Sequence, residues 1–403
     1  MSENRKAAIV TNNLLCEMNT KYYSMLERYF QANQWTITAS FTDADIVVFS
    51  TCGFADWMHQ AIYNALQELQ KINFPDQKII IMGCQPKTHE TELKNIFKGR
   101  MIEFGHEYLL DQVIGAAIPF KNIEVTNLFR PYRNNEPVDQ NELFTIQIAD
   151  GCLKQCTYCV INKAHGDIRS VPLVDIERQY KMALQKGYRN INLIAIDTLS
   201  YGYDTGTNIN ELIEHLLTID SNVHFYLGSL HIRWLANYWE GLLSFCKRGI
   251  INSLHIGLQH VDDEILKKMG RPVKFADLYI ILCSFKKECP NLFISTDIIV
   301  GFPGETDAIF ETVLEFFRKD HCFTLVNHFA YSDVKGAPAC RLSGKVNDYI
   351  KLNRWEKLKE VLGERFPDNA LRKNDSIKLR RYQAAHQYAN EQGYYFCQNT
   401  FAE

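Results

Sequence analysis

Apolar and polar residues alternate along the first part of the chain in a way that predicts short strands followed by helices. The apolar runs are KAAIV, DIVVFSTC and KIIIMGC, and each has the length and composition of a buried strand. The segments that follow them have helical character, from about Thr20 to Gln34, from about Trp57 to Leu69 and across QPKTHETELKNIF. Because strand–helix alternation is typical of parallel sheets, residues 1–120 are predicted to form an N-terminal parallel-sheet α/β domain.

The alternation is interrupted between residues 121 and 142 and then resumes. The interruption is polar and contains PYRNNEPVDQNE, a composition typical of a linker. From residue 143 to residue 343, further strands alternate with helical patterns, which predicts a partial (β/α)6 barrel. The strand segments are FTIQIAD, NINLIAID, HFYLGSL, SLHIGLQH, FISTDIIVGF and LVNHFAYS. In barrels of this type the chemistry lies at the C-terminal ends of the strands.

Residues 344–403 show no alternating strand pattern. Two segments have helical character, DYIKLNRWEKLKEVLGERF and SIKLRRYQAAHQYANEQ. We therefore predict a short, mostly helical C-terminal segment after the barrel. The run KLRR in the second segment is basic, and it fits either a solvated helix face or a contact with RNA phosphates.

The overall composition is that of a soluble globular protein, with 46% hydrophobic and 23% charged residues. A net charge of −3 gives no global attraction to nucleic acid. No stretch approaches the ~18 apolar residues of a membrane helix, and the N-terminus MSENRKAAIV is too polar for a signal peptide. We therefore expect a cytoplasmic protein without a membrane partner, in which the twelve cysteines are metal ligands or reduced thiols.

Three cysteines form a C-x3-C-x2-C triplet directly after the first barrel strand, namely Cys152, Cys156 and Cys159. A [4Fe–4S] cluster usually takes four protein thiolates, so three local ligands leave one iron open to a non-protein ligand. The alternatives are three buried thiols or a structural zinc site, which needs a fourth ligand such as His165.

A second set of three cysteines shares a context in the first domain. Cys16, Cys52 and Cys84 each lie in or just after a strand-to-helix turn. In a parallel sheet these turns meet at one edge, so the thiols are expected to converge and hold a second cluster with one open iron. The alternative is that small buried cysteines are common at strand ends. The other six show no cluster spacing and are expected to be free thiols: Cys246, Cys283, Cys289, Cys322, Cys340 and Cys397.

Several motifs together resemble the methylthiotransferase branch of the radical S-adenosylmethionine (SAM) superfamily over roughly residues 7–343. GCLKQCTYCVINKAHGDIRS resembles the family pattern G-C-x-x-x-C-T-Y-C-x-x-P…R-G-x-x-R-S, with Asn162 near the usual proline and His165 in place of the arginine. Ser50 and Ile196 replace the usual asparagine and glutamine of two other motifs. The remaining matches are CEMNT, DADIVVFSTCGF, MGCQPK, LIAIDTLSYGYD, LQHVDDEILKKMGR, DIIVGFPGET and FAYSDVKGAPA.

The resemblance implies two [4Fe–4S] clusters and SAM as cofactors. Members of this family replace a C–H bond by C–S–CH3. One SAM donates the methyl group, and a second yields the 5′-deoxyadenosyl radical that abstracts the substrate hydrogen. The cluster on the first-domain cysteines is thought to hold the transferred sulfur. An electron donor such as flavodoxin or ferredoxin is expected as a partner.

Other residues near the predicted strand ends are candidates for cofactor binding. Each also has a structural explanation, as a turn glycine, a buried hydrogen-bonding group or a surface arginine. Asp197 and Thr198 are expected to end a barrel strand and to point into the cavity, and His260 is expected to end another strand. Asp297 lies inside a strand run, where it is either a ligand or a buried hydrogen-bonding group. The cofactor-binding candidates are Tyr158, Arg169, Asp197, Thr198, Gln259, Gly301 and Gly304.

The substrate expected from the resemblance is a peptide or protein side chain, with a tRNA adenosine as the alternative. LIAIDT and YSDVKGAPA resemble the protein-modifying branch more closely than the tRNA branch. The C-terminal β domain usual in both branches is expected to be absent. Two further hypotheses are an enzyme whose second cluster only transfers electrons and a non-catalytic iron–sulfur sensor.

Overall fold

The computed structural model describes residues 5–11, 16–124, 143–153 and 156–365. Two separate parallel sheets, each packed against helices, account for most of this part of the chain. None of the described helices is both long and apolar enough to cross a membrane.

The first sheet has five parallel strands in the order β2-β1-β3-β4-β5. Apolar side chains on both of its faces pack beneath helices, which explains why its central strands are continuous apolar runs. Its elements are β1 (Lys6–Thr11), α1 (Glu17–Ala32), β2 (Thr36–Ile37), β3 (Ile46–Thr51), α2 (Asp56–Lys71), β4 (Ile79–Gly83), α3 (Gln85–Thr88), α4 (Glu90–Ile96), β5 (Arg100–Glu103) and α5 (Tyr108–Ile114).

The second sheet has six parallel strands in the order β13-β12-β11-β10-β9-β6. Its strands follow one another in sequence order and its first and last strands do not pair, so the predicted partial barrel is confirmed. Its elements are β6 (Leu143–Gln147), β7 (Ala149–Asp150), α6 (Ile161–His165), β8 (Arg169–Ser170), α7 (Leu173–Gln185), β9 (Asn190–Ile194), α8 (Ile209–Ile219), β10 (His224–His231), α9 (Ile232–Lys247), β11 (Ile251–Gln259), α10 (Asp263–Lys268), α11 (Phe275–Glu288), β12 (Phe293–Val300), α12 (Asp307–Lys319) and β13 (Leu325–Ala330).

The helix α13 (Asp348–Arg365) follows the barrel and packs on β13 and α12. It confirms the helical character predicted for the start of the C-terminal segment. The second predicted helical segment, its KLRR run and Cys397 lie outside the described residues. Residues 125–142 of the predicted linker also lie outside them, so the domain boundaries stay predictions.

One predicted helix is interrupted. The segment QPKTHETELKNIF was expected to be a single helix, but the structure has α3 and α4 with a break at His89. His89 has φ −129° and ψ 32°, which is not a helical conformation. Its ring stacks on the ring of His59, with the centroids 4.2 Å apart. A tertiary contact has therefore overridden the local helical pattern.

Helix α1 connects the first domain to two neighbouring barrel strands, β6 and β9. Lys21 Nζ donates a hydrogen bond to Gln147 Oε1 on β6 at 2.8 Å. Asn192 Nδ2 on β9 donates to Glu17 Oε1 at 3.2 Å. Because α1 begins directly after Cys16, these bonds fix that cysteine relative to the barrel strands.

Candidate functional site

The cysteine triplet lies on a loop that is closed at its base by a two-stranded antiparallel ribbon. Strands β7 and β8 form this ribbon, with Asp150 paired to Arg169. Gly151 enters the loop with φ +76°, and a Cβ atom there would lie 2.0 Å from the carbonyl oxygen of Asp167. Glycine is therefore required at this position. The backbone N–H of Thr157 donates to the carbonyl oxygen of Met269 at 3.0 Å, which anchors the middle of the loop to the end of α10.

The three thiols of the triplet lie close to one another in a partly buried site. The pKa of Cys159 is raised to about 12, mainly by burial. The neighbouring thiols of Cys156 and Cys152 contribute to this increase. Mutual proximity of this kind is what a cluster with three local thiolate ligands requires, because the metal then neutralises their negative charge. The residues present therefore fit the [4Fe–4S] cluster that the spacing predicts.

Cys156 is surrounded by polar side chains that point at its sulfur. His231 Nε2 lies 3.4 Å from Cys156 Sγ. The guanidinium of Arg271 also hydrogen-bonds this thiol, and Arg271 Nε donates to the hydroxyl of Tyr158 at 3.0 Å. Tyr158, a predicted cofactor-binding residue, packs against a buried apolar cluster that includes Phe302. His231 and Arg271 were not among the residues predicted from the sequence.

The strands that precede the first-domain cysteines end at one edge of the first sheet. In the register of the sheet, Thr11 pairs with Ser50 and Thr51 pairs with Gly83. Cys52 and Cys84 follow the paired strand ends directly. The backbone N–H of Cys84 donates to the carbonyl oxygen of Thr51 at 2.8 Å.

The thiols of this second set converge as well. A hydrogen bond between the thiols of Cys16 and Cys52 is the largest cause of a raised pKa at Cys16, followed by burial. His165 lies close enough to Cys16 to lower the pKa of that thiol. The Nε2 atom of His165 is 3.6 Å from Cys84 Sγ. Cys16 and Cys84 therefore both lie near His165, Cys52 is hydrogen-bonded to Cys16, and this arrangement fits a second cluster.

His165 is held by the ribbon at the base of the triplet loop. Its Nδ1 atom lies 2.6 Å from Asp150 Oδ1. Arg169 Nη2 donates to Asp150 Oδ2 at 3.0 Å, and its side chain is 61% exposed. Arg169 therefore pairs with an acid near the triplet, and its side chain is largely exposed.

Asp197 and Thr198 do not end a barrel strand, contrary to the expectation. Strand β9 stops at Ile194, and Thr198 begins a short 3-10 helix. The Asp197 carboxylate accepts from Trp234 Nε1 at 2.8 Å and from the backbone N–H of His231 at 3.4 Å. Burial raises the pKa of Asp197 to about 6. The hydroxyl of Thr198 is buried and has no hydrogen-bond partner among the described residues.

The loop after β12 carries Gly301 and Gly304, both with positive φ. The backbone N–H of Gly301 donates to Glu305 Oε1 at 3.0 Å. A Cβ atom at Gly301 would meet the side chain of Lys351 on α13, and one at Gly304 would meet that of Lys268. The glycines therefore let this loop pack closely beneath neighbouring side chains.

Two of the polar residues singled out from the sequence, Gln259 and Asp297, lie in barrel strands. Gln259 ends β11 with φ +75° and is buried, a strained conformation of the kind found at functional sites. Asp297 accepts hydrogen bonds from Asn327 Nδ2 at 2.9 Å and faces His255 Nε2 at 3.1 Å. Burial opposes ionisation of Asp297, but His255 and Asn327 together bring its pKa below the ordinary value.

No group of three or more His, Cys, Asp or Glu side chains in the part of the chain that the structure describes is arranged to hold a single metal ion. The ligands of a cluster differ from those of a single ion, because each thiolate binds a separate iron. His165, the candidate fourth ligand of a zinc site at the triplet, instead contacts Cys84 of the other set.

Comparisons with known proteins cover both domains. Residues 146–317 match the model of the radical SAM superfamily, and residues 8–105 match the model described as uncharacterized protein family UPF0004. The ribosomal protein uS12 methylthiotransferase RimO of Clostridium botulinum is 31% identical over 346 residues, which are 81% of this chain and 75% of the relative. The chain belongs to the radical SAM methylthiotransferase family. This confirms the resemblance drawn from the motifs.

Relatives in this family differ in the substrate that their names carry. The threonylcarbamoyladenosine tRNA methylthiotransferase MtaB of Thermotoga maritima is 28% identical over 323 residues, which are 79% of this chain and 73% of the relative. Among solved structures, the radical SAM methyltransferase TsrM of Kitasatospora setae superposes with a TM-score of 0.53 at 11% identity, over 81% of this chain and 75% of TsrM. That likeness shows the fold alone. Membership of the radical SAM family implies SAM and a [4Fe–4S] cluster as cofactors.

Proposed function

We propose that this methylthiotransferase acts on a peptide or protein side chain and uses two [4Fe–4S] clusters. Cys152, Cys156 and Cys159 would hold the cluster that binds SAM. The set Cys16, Cys52 and Cys84 would hold the auxiliary cluster. The observation that carries the two-cluster part of the proposal is the position of His165, which belongs to the triplet loop and contacts Cys84 of the other set. Two convergent thiol sets so joined are what the transfer of a sulfur group to a substrate radical requires.

When bound, the clusters and SAM supply radical cleavage of the C–H bond and transfer of the methylthio group. The chain itself orients these groups. Asp197 fixes the start of α9 through His231 and Trp234, and Glu305 fixes the loop after β12 through Gly301. Such fixed geometry lowers the cost of bringing reacting atoms together.

The preference for a peptide or protein rests on two supports. The first is that LIAIDT and YSDVKGAPA resemble the protein-modifying branch. The second is the similarity to relatives named for ribosomal protein uS12. A relative named for a tRNA favours tRNA methylthiolation as the second candidate.

Iron analysis with Mössbauer spectroscopy on anaerobically reconstituted protein tests the two-cluster proposal. About eight irons per chain, all as [4Fe–4S], are expected, and about four would remove the auxiliary cluster. Alanine at Cys152, Cys156 or Cys159 should abolish reductive cleavage of SAM. Alanine at the other three should spare cleavage but stop sulfur insertion. Methylthiolated product from that second group of variants would refute the auxiliary assignment.

The substrate class needs a separate assay. The reduced enzyme is offered a ribosomal protein fraction and, in parallel, bulk tRNA that lacks methylthio groups. Mass spectrometry of both then shows where the methylthio group appears. Modification of the tRNA alone would replace the proposed substrate class with the second candidate. An enzyme whose auxiliary cluster only transfers electrons would form 5′-deoxyadenosine and add no methylthio group to either sample.

A further inference from the structure

A cavity of about 730 Å³ lies between α1, the connection from β5 to α5 and the ribbon at the base of the triplet loop. We propose that this cavity, which we call the interdomain cavity, binds a peptide through one carboxylate, and that the ammonium of Lys21 receives this carboxylate. Among the described residues, no cysteine lines the cavity, so the bound residue is separate from the residue that reacts. The role of the peptide as substrate rests on the proposed function.

Lys21 is a half-buried cation of the cavity wall that forms no ion pair with any described carboxylate. Its Nζ atom donates to the neutral side-chain oxygen of Gln147 at 2.8 Å. An ammonium has three N–H donors, so two are left for a ligand. Burial lowers the pKa of Lys21 to about 8, although the charge of Asp150 opposes this decrease. A carboxylate ligand would stabilise such a cation, because pairing offsets the cost of removing the charge from water.

Two acids of the cavity wall are bonded to tyrosines and not to Lys21. Glu107 Oε1 accepts from the hydroxyl of Tyr22 at 3.2 Å. Asp111 Oδ1 accepts from the hydroxyl of Tyr29 at 2.8 Å. Each of these carboxylates is therefore held by a neutral donor of the first domain. The fold itself does not supply the partner of Lys21, which leaves that place to a ligand.

The charges that line the interdomain cavity favour a ligand with a single negative charge. Asp150 pairs with Arg169, and the two charges cancel. Apart from this pair and His165, three lysines and two acids line the cavity, so its net charge is +1. One carboxylate balances this charge, whereas successive RNA phosphates would bring further negative charges close to Glu107 and Asp111. An acidic residue of a peptide therefore fits the cavity better than RNA does.

The apolar part of the cavity suits the apolar side chains of such a peptide. The ring of Tyr22 packs on those of Phe104 and Phe120, with centroid distances of 4.9 Å and 5.6 Å. Met18 and Met25 of α1 extend this wall, and methionine side chains adapt readily to different apolar partners. An apolar wall with a few polar groups, in a cavity of roughly 300–1,000 Å³, is typical of ligand-binding sites.

The test uses the full chain after anaerobic reconstitution and three small probes. Acetyl-Phe-Asp-amide carries one carboxylate, acetyl-Phe-Asn-amide is its neutral counterpart, and the trinucleotide ApApA carries successive phosphates. Isothermal titration calorimetry gives the dissociation constant of each probe. We expect the acidic dipeptide to bind at about 1 mM or tighter, and the other two probes to bind at least about tenfold more weakly. Equal binding of the two dipeptides, or tighter binding of ApApA, would overturn the inference.

Substitutions at the two ends of one hydrogen bond separate ligand binding from domain contact. Lys21→Met removes both the ammonium and the bond to Gln147, and it should weaken binding of the acidic dipeptide about 10–100-fold. Gln147→Leu removes the same bond but keeps the ammonium, so it should bind about as tightly as the parent. Lys71→Met, at an exposed position on α2, is the control and should also bind like the parent. Equal losses in Lys21→Met and Gln147→Leu would overturn the inference.

Competition with the substrate tests the role of the bound peptide. The acidic dipeptide should inhibit methylthiolation of the ribosomal protein fraction by the parent enzyme, and acetyl-Phe-Asn-amide should not inhibit it at the same concentration. Binding without inhibition would show that the cavity does not hold the substrate, and it would overturn the inference while the proposed function stands. Modification of tRNA alone would overturn the proposed function, whereas the binding of a carboxylate at Lys21 would stand as a separate result.

Discussion

The Nδ1 atom of His231 accepts a hydrogen bond from the backbone N–H of Arg233 at 3.1 Å, which leaves the Nε2–H of the same ring directed at Cys156 Sγ, 3.4 Å away. The tautomer of His231 is thus set by the start of α9. Burial lowers the pKa of His231 to about 2, and Arg271 and Arg233 contribute to this decrease. A neutral ring with its proton on Nε2 is a permanent donor to the thiol of Cys156.

The first prediction concerns this donor. His231→Leu removes the hydrogen bond to Cys156, so the SAM-binding cluster should have a more negative midpoint potential in an EPR-monitored titration. His231→Gln, which keeps an amide N–H near the same position, is the matched control and should retain most of the parent potential. Equal potentials in the parent and the His231→Leu variant would contradict the prediction.

The second prediction concerns two cysteines outside both thiol sets. Cys283 Sγ and Cys322 Sγ are 3.2 Å apart and separated by 39 residues. Glutathione disulfide should oxidise this dithiol to a disulfide and be reduced to two glutathione molecules. Closing a loop of that length should stabilise the fold by about 4 kcal/mol in the chain-entropy model. Non-reducing peptide mapping detects the link, and urea unfolding measures the gain.

Cys283→Ser is the control for this pair. It should lose both the linked peptide and the gain in stability on oxidation. If the mapped peptides of the parent show a mixed disulfide with glutathione at Cys283 instead, the two sulfurs do not approach as closely in solution as the structure indicates.

The third prediction concerns pH. His89 is buried against His59, and burial, followed by the neighbouring His59, lowers its pKa from 6.5 to about 4. The unfolded chain therefore binds more protons than the folded chain between these values, and stability falls as the pH falls. Between about pH 7 and about pH 5, His89 should account for a loss of about 2 kcal/mol in the free energy of unfolding.

The change that tests this pH dependence is His89→Gln. The variant should be less sensitive to pH than the parent in urea unfolding followed by circular dichroism. His321→Gln, at an exposed position, is the matched control and should keep the parent's pH dependence. A parent and a His89→Gln variant with the same dependence would show that His89 is not a buried neutral histidine.

The fourth prediction concerns the attachment of α13 to the barrel. Arg354 Nη1 donates to Glu305 Oε1 at 2.8 Å, and both side chains are almost fully buried. Arg354→Met leaves the Glu305 carboxylate buried without its cation, which should cost about 3–5 kcal/mol in urea unfolding. Glu305 also holds Gly301, which is a predicted cofactor-binding residue, so we expect the affinity for SAM in equilibrium dialysis to fall as well.

Arg318→Met is the control for this substitution. Arg318 pairs with Glu311, but both side chains are about half exposed, so stability should change little. The double variant Arg354→Met with Glu305→Gln removes the unpaired charge and should recover part of the lost stability. A double variant no more stable than Arg354→Met would show that the cost comes from packing and not from the buried carboxylate.

Local patterns predicted β3 and β4 of the first sheet because these strands are largely apolar. β3 and β4 are buried at every residue, so their composition alone marks them. β2 and β5 escaped prediction, since β2 has two residues and β5 is partly exposed. Composition therefore missed the short and partly exposed edge strands of the first sheet.

The site could be predicted to the extent that its functional residues lie at the ends of strands. The positions of Cys52 and Cys84 after neighbouring strands follow from parallel pairing, and the structure has that pairing. The contact of His165 with Cys84 joins residues 81 positions apart, so no local pattern contains it. His231 also escaped prediction, although it is a polar residue at the end of a barrel strand, which is the signal that singled out Gln259.

The hydrogen bonds of α1 to β6 and β9 bear on how the enzyme works. Glu17 is bonded to Asn192 and Lys21 to Gln147, so a hinge between the two domains would have to break both bonds at each turnover. We expect the halves to move as one body instead. Selection of the substrate then depends on the fixed shape of the site and not on a closing motion of the two domains.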